Sequence, residues 1–157
     1  MERKGNLLIV DDDPSIRKVL AAILEEKGYT VDTAETGRQA IQKSKTKFYN
    51  LALLDIRLPD MEGTELLTQM KQTTPPMVKV MVTGYPSMQN AVDALNKGAN
   101  AFIIKPLNID HALAIIEKLL EQQKESLKMT QGKIAEFIET RAKQLEQEEL
   151  ARYIPEN

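Results

Sequence analysis

Short apolar runs alternate with helix-period patterns over roughly the first 120 residues. Leu7-Leu8-Ile9-Val10 is a run apolar throughout, the pattern of a strand buried on both faces. After it Ile16, Val19, Leu20, Ile23 and Leu24 fall at i, i+3, i+4, i+7 and i+8, one face of a helix. Asp13 stands where an N-cap belongs, Pro14 suits the first helical turn, and Gly28 supplies the stop. Thr30-Val31-Asp32-Thr33-Ala34 alternates, as a half-exposed edge strand does, and Thr36 with Gln39 has capping-box spacing before a short helix through Ala40, Ile41 and Ser44. The cycle repeats. Leu51 to Leu54 predicts a strand, and Leu66, Leu67 and Met70 mark a helix. Pro75-Pro76 breaks the chain, and Val78 to Val82 predicts a fourth strand. A helix is expected from Pro86 to Asn96 with Gly98 at its end, then a strand over Ala101 to Ile104 and a long helical pattern from Ile109. Five strand–helix units in strict alternation predict an α/β fold, a parallel sheet with helices on both faces.

From residue 117 the strands stop and charge becomes dense, with seven Lys/Arg against nine Asp/Glu. A heptad frame from Leu113 places Leu113, Ile116, Leu120, Gln123, Leu127, Thr130, Ile134, Phe137, Arg141 and Gln144 on one seam. Six of these ten are apolar, which is a weak coiled-coil pattern. Gly132 costs about 1 kcal/mol in a helix interior and is expected to divide the segment in two. The chain is therefore read as a domain over residues 1–120 and a helical tail over 121–157, a dimerisation or docking segment.

Composition narrows the chemistry. The net charge of −2 gives no electrostatic case for nucleic acid or anionic lipid as a direct partner. With no cysteine there is no disulfide framework, thiolate metal site or cysteine nucleophile, and the single histidine, His111, rules out a multi-histidine site. His111 is read as an exposed residue of the last helix. The apolar run before Asp11 is too short for a signal peptide and no run reaches the length of a membrane span, so a cytoplasmic location is expected.

What remains is a set of polar groups at the strand exits, where ligands bind in open parallel sheets. The first strand ends in Asp11-Asp12-Asp13, the third in Asp55, the fourth in Thr83-Gly84 and the fifth in Lys105-Pro106. Read alone, the three-acid run is a solvated charge run with a helix cap. If strands 1 and 3 are neighbours, their carboxylates converge. Two carboxylates about 4 Å apart repel by roughly 4 kcal/mol at an effective dielectric of 20, so the cluster requires raised pKa values or a cation. Oxygen donors without histidine or cysteine suit Mg²⁺. A carboxylate beside a hard cation, an ammonium and a hydroxyl constitute a phosphoryl-transfer site, in which an aspartate can form an acyl phosphate.

The stretches LLIVDDDPSIR, LALLDIRLPDMEG and VMVTGYPSMQNAVDALNKGANAFIIKP, in this order and spacing, resemble the response-regulator receiver domain of two-component signalling over residues 5 to about 120. The resemblance implies a flavodoxin-like (βα)5 three-layer sandwich with sheet order 2-1-3-4-5, here with a C-terminal helical extension. It implies Asp55 as phosphoacceptor, Asp11 and Asp12 as Mg²⁺ ligands with the Arg57 backbone carbonyl, Thr83 as switch hydroxyl and Lys105 as phosphate-binding lysine. Phe102 takes the aromatic switch position, where many members have tyrosine, and Lys105-Pro106 matches the family's cis peptide. The implied function is a phosphorylation-dependent switch in a two-component phosphorelay. It would accept a phosphoryl group from a sensor histidine kinase or phosphotransfer protein and act on a downstream protein target. Such a chain catalyses its own aspartyl phosphorylation and dephosphorylation without being a metabolic enzyme. A haloacid-dehalogenase-like phosphatase is disfavoured because Asp55-Ile56-Arg57 lacks that family's second acid. A vestigial pseudo-receiver would lack one of the five key residues, and all five are present. The chain resembles a stand-alone receiver, or one cut from a longer protein.

Overall fold

The computed structural model describes residues 4–84 and 87–153. Along the chain run β1 (Asn6–Val10), α1 (Pro14–Glu26), β2 (Thr30–Ala34), α2 (Gly37–Thr46), β3 (Leu51–Asp55), α3 (Gly63–Gln69), β4 (Val78–Thr83), α4 (Met88–Asn96), β5 (Ala101–Ile104) and α5 (Ile109–Arg152). The strands form one parallel sheet in the order β2-β1-β3-β4-β5, so the fold is the flavodoxin-like α/β sandwich. Its contacts divide into two units, Met1–Glu121 and Gln122–Asn157.

In the first unit the sheet is buried on both sides, and strand alternation sorts its residues between two cores. Leu8, Val10, Leu54 and Met81 pack with Ala40 of α2, Leu66 of α3 and Ala94 of α4. Leu7, Ile9, Leu53 and Val80 pack with Leu24 of α1 and with Ala112, Ile116 and Leu120 of α5. Burying each large side chain stabilises the fold by roughly 1.5–3 kcal/mol, and this two-sided burial is why β1 and β3 read as apolar runs and β4 is broken only by Lys79. At the β2 edge, four of five residues are only half-buried.

Local chemistry starts the helices. The Asp13 carboxylate accepts from the Ser15 amide with Pro14 following, as the sequence predicts. Gly28 has a φ of +102°, the left-handed conformation that ends α1. The Thr36 hydroxyl accepts from Gln39 N, but Gln39 Oε1 reaches Glu35 N rather than closing a reciprocal box. α4 begins at Met88, because Ser87 caps it through Asn90 N; the expected start, Pro86, lies outside the described residues.

Gly63 is dictated by space. A Cβ there would lie 2.2 Å from the Asp55 carbonyl oxygen and 2.8 Å from Met81 Cε, since α3 begins directly behind β3. Gly63→Ala is expected to cost about 1–3 kcal/mol and to lower Tm by roughly 4–12 °C. A thermal melt followed by circular dichroism checks this; an unchanged Tm would show that the backbone yields freely there.

The second unit corrects one expectation. Gly132 does not divide it, since α5 is continuous from Ile109 to Arg152, 44 residues. One glycine's penalty of about 1 kcal/mol is spread against the cooperativity of many helical turns on either side. Within this unit Ile134, Phe137, Ile138, Leu145 and Leu150 are exposed.

Candidate functional site

The neighbouring placement of β1 and β3, with Val10 opposite Leu54, brings the residues just beyond them together. Asp11 follows Val10 and is buried; Asp55 closes β3 and is half-buried; Asp12 is exposed. One carboxylate oxygen from each of Asp11, Asp12 and Asp55 lies within 4.8 Å of the other two. Lys105, which follows β5 and precedes a cis peptide to Pro106, crosses from the sheet edge to this cluster. Its Nζ donates to Asp11 Oδ2 at 3.1 Å and to Asp55 Oδ2 at 3.2 Å. Ile9, Leu53, Val82 and Leu107 line the apolar floor beneath the two acids.

Each acid is held by backbone as well. Asp11 Oδ1 accepts from Asp13 N at 2.9 Å, and the Asp11 carbonyl accepts from Arg17 Nη1 at 2.7 Å. Asp55 Oδ1 accepts from Arg57 N at 3.2 Å. These contacts fix the carboxylate planes before any ligand arrives.

The sequence predicts that the cluster needs raised pKa values or a cation; Asp11 is raised, and the Lys105 ammonium lies against Asp11 and Asp55. Burial pushes the Asp11 carboxyl above its ordinary value; the Asp13 amide and Lys105 pull against this, and the Asp55 charge adds to it. For Lys105, burial works downward, but the hydrogen bonds and charges of Asp11 and Asp55 outweigh it and hold the ammonium protonated. The ammonium faces two acids, whereas Asp11 has one cation and a like-charged neighbour. Three ionised carboxylates and one ammonium would leave a residual charge of −2, which a divalent cation would cancel. Two oxygens bound to one Mg²⁺ stand at most about 4.2 Å apart, so the observed spread needs only a small contraction. Hard oxygen donors alone fit that ion and not a thiophilic one.

Thr83, at the end of β4, is wholly buried. Strand alternation gives it the face of Met81, toward α4, whereas Asp55 shares the α1–α5 face with Leu53. Phe102 lies opposite Met81 in register and is half-buried against the same core. Thr83 and Phe102 therefore share one face of the sheet, and the acids with Lys105 gather at the strand exits. The Thr83 carbonyl accepts from Lys105 N at 2.7 Å, which ties β4 to the residue that bears the ammonium. His111 is exposed on α5, as expected.

Comparison with known proteins bears on this geometry. The response regulator receiver domain family matches residues 7–117. The transcriptional regulatory protein ZraR of Escherichia coli K12 is 38% identical over 115 residues, which are 73% of this chain and 26% of that protein. A receiver domain protein of Methanospirillum hungatei JF-1, described as CheY-like, superposes with a TM-score of 0.74 at 47% identity, over 77% of this chain and 97% of that one. The chain belongs to the response-regulator receiver family. As a receiver domain it is a component of two-component signalling, the context in which such domains meet histidine kinases and phosphotransfer proteins. The chain spans about a quarter of the length of curated relatives such as ZraR and the DNA-binding transcriptional regulator NtrC of Escherichia coli K12. The DNA binding in the latter's name belongs to that longer protein. Among the described residues of the receiver and its tail, no helix is long and apolar enough to cross a membrane.

Two contributors to the site were not legible as such in the sequence. Arg17 reads as a polar position of α1, yet it grips the Asp11 carbonyl. Asp60 reads as part of a turn before α3, yet its carboxylate holds the start of α2. Both act on backbone, Arg17 across six residues and Asp60 across more than twenty, and no motif spacing announces either.

Proposed function

We propose that Asp55 accepts a phosphoryl group from a phosphohistidine of a sensor kinase or phosphotransfer protein, and that the acyl phosphate switches the α4–β5 face. The observation that carries this reading is the Asp55 carboxylate at the exit of β3, bonded to Lys105 and within ligand distance of Asp11 and Asp12. A carboxylate oxygen of Asp55 forms the new O–P bond as the N–P bond of the donor breaks, and the imidazole leaves and takes up a proton from solvent. Lys105 lies where its ammonium meets the incoming phosphoryl oxygens and offsets their charge. Asp11 and Asp12, with the Arg57 carbonyl, would hold Mg²⁺, which neutralises charge on the transferring group. Hydrolysis of the acyl phosphate by water resets the switch.

The readout follows from the sheet. In this reading Thr83 turns its hydroxyl toward the phosphoryl group and Phe102 repacks behind it, which changes the surface formed by α4 and β5. That surface already exposes Met88, Val92, Leu95 and Ile104, an apolar patch suited to a downstream protein. The phosphoryl group needs differential contacts of only a few kcal/mol between the two states to drive this. We assign the receiver to residues 1–120, a self-pairing or docking role to the tail over 121–157, and the cytoplasm as the place of action.

Metal removal tests the site. EDTA is expected to reduce labelling by acetyl phosphate to background, and excess Mg²⁺ to restore it. Asp12→Ala, which removes an exposed carboxylate, should weaken Mg²⁺ binding with little change in Tm. Intact-mass spectrometry after a fixed reaction time checks the first, and calorimetric titration the second. Labelling at an undiminished rate in EDTA would refute the metal role.

A further inference from the structure

Asp60 lies in the loop between β3 and α3, on the solvent side of the site. Its Oδ1 accepts from Gly37 N and its Oδ2 from Arg38 N, each at 2.9 Å. These are the first two amides of α2, contributed by an element that precedes the loop by more than twenty residues. The next amide, Gln39 N, is taken by Thr36 Oγ1 at 3.1 Å. The start of α2 is therefore capped twice, locally by Thr36 and remotely by Asp60. The contact is tight, since a Cβ on Gly37 would stand 2.4 Å from Met61 Sδ.

The loop that Asp60 anchors is itself closed. Leu58 N donates to the Met61 carbonyl at 3.1 Å and Gly63 N to the Ile56 carbonyl at 2.7 Å, and Arg57 pairs with Glu62 in an isolated bridge. Asp60 and Arg57 therefore lie within one hydrogen-bonded loop. On its other flank, the β2–α2 turn is tied to the acidic loop. Glu35 Oε1 accepts from Arg17 Nη2 at 3.2 Å, and the same guanidinium donates to the Asp11 carbonyl. One turn, residues 35–38, thus contacts the loop bearing Arg57 through Asp60 and is linked to the Asp11 carbonyl through Arg17 of α1.

We propose that Asp60 is a positioning residue for the phosphoryl-transfer site: by gripping the start of α2 it fixes the Arg57 loop relative to the Asp11–Asp12 loop, with Arg17 as the opposite arm of the brace. This rests on the reading that Arg57 and the acids hold Mg²⁺. Thr36 serves Gln39 N and Asp60 the two amides before it, so the caps are complementary; because Asp60 comes from the β3–α3 loop, its cap also ties that loop to α2. Outer contacts that orient metal ligands commonly carry about 10–100-fold in affinity when lost, and the lower end suits an exposed anchor acting through backbone.

The test compares Asp60→Ala, Asp60→Asn and Thr36→Ala in the full chain, with amide hydrogen exchange in metal-free buffer and calorimetric titration with Mg²⁺. Asp60→Ala is expected to speed exchange at Gly37, Arg38, Leu58 and Gly63 and to weaken Mg²⁺ binding by about tenfold. Asp60→Asn keeps one acceptor oxygen and should recover part of both effects. Thr36→Ala loosens Gln39 but should leave Leu58, Gly63 and the Mg²⁺ affinity unchanged. If Asp60→Ala leaves Leu58 and Gly63 protected, or if Thr36→Ala weakens Mg²⁺ equally, the brace is wrong and Asp60 is merely a helix cap. If the unsubstituted chain binds no Mg²⁺, the metal reading fails on its own, and the metal-free exchange still decides whether Asp60 holds the loop.

Discussion

Asp55→Asn is expected to abolish aspartyl phosphorylation of the full chain by acetyl phosphate or by a phosphorylated donor protein, to below detection in intact-mass spectra. The carboxamide keeps the shape of the side chain but is not a nucleophile, and its nitrogen carries no lone pair free to attack phosphorus. The fold should survive. Lys105 now divides its hydrogen bonds between Asp11 and Asp55; in the variant it pairs with Asp11 alone, and an amide oxygen can still accept from the ammonium. Loss of the neighbouring negative charge removes one of the influences that raise the Asp11 carboxyl, so Asp11 should titrate lower in the variant than in the unsubstituted chain. The expected outcome is therefore a protein with near-normal Tm, a downward-shifted Asp11 by NMR titration, weaker Mg²⁺ binding and no label. Stoichiometric label that persists and maps to Asp11 or Asp12 would overturn the assignment of the acceptor. Collapse of the fold would instead show that the Asp55–Lys105 pair is structural.

Most of the receiver is legible in the sequence because its burial is simple. A sheet covered on both faces needs apolar runs without alternation, and β1, β3 and β4 supply them. β2, with one exposed flank, alternates and declares itself an edge. Helix starts are legible where a side chain caps its own helix, as Asp13 and Thr36 do. Two things are not legible from such local patterns. Strand order is set by which helices cover which face, so the adjacency of β1 and β3 came from the resemblance to receivers rather than from the runs themselves. Long-range polar contacts are equally silent. Lys105 is legible as a strand-exit cation, but its direct bonds to both acids, with a side chain only 21% exposed, are not. Its removal should consequently unsettle Asp11 and Asp55 as well as any bound phosphoryl group. Gly132 failed as a breaker for the opposite reason. Propensity is a local quantity, and helical turns on both sides outweigh one unfavourable residue.

The tail should bring two copies of the chain together. Beyond Glu121 the helix carries Met129, Ile134, Phe137, Ile138, Leu145 and Leu150, each at least half exposed. Burial of one such side chain stabilises by roughly 1.5–3 kcal/mol, which is too much to leave unused on a helix of about 30 residues that would be marginal alone in water. Ion pairs do not compensate, because Lys143–Glu139 and Arg141–Glu148 are exposed and such pairs contribute little. The continuity of α5 through Gly132 lets one seam run from Leu127 past Ile134 and Phe137 toward Arg152, along about 38 Å at 1.5 Å per residue. Gln123, Thr130, Arg141 and Gln144 interrupt that seam and should keep the pairing weak enough to respond to changes in the receiver. Truncation after residue 120 leaves Ala112, Ile116 and Leu120 of α5 in the receiver core, and the Methanospirillum hungatei receiver, 97% of which aligns with 77% of this chain, shows that a unit of this size stands alone. Sedimentation of the full chain is expected to give a mass rising with concentration toward twice the monomer, whereas residues 1–120 remain monomeric without a phosphodonor. Ile134→Lys or Phe137→Lys in the full chain should match the truncation. If the full chain is monomeric at every accessible concentration, with and without phosphorylation, self-pairing is wrong and the apolar stripe belongs to a different partner helix.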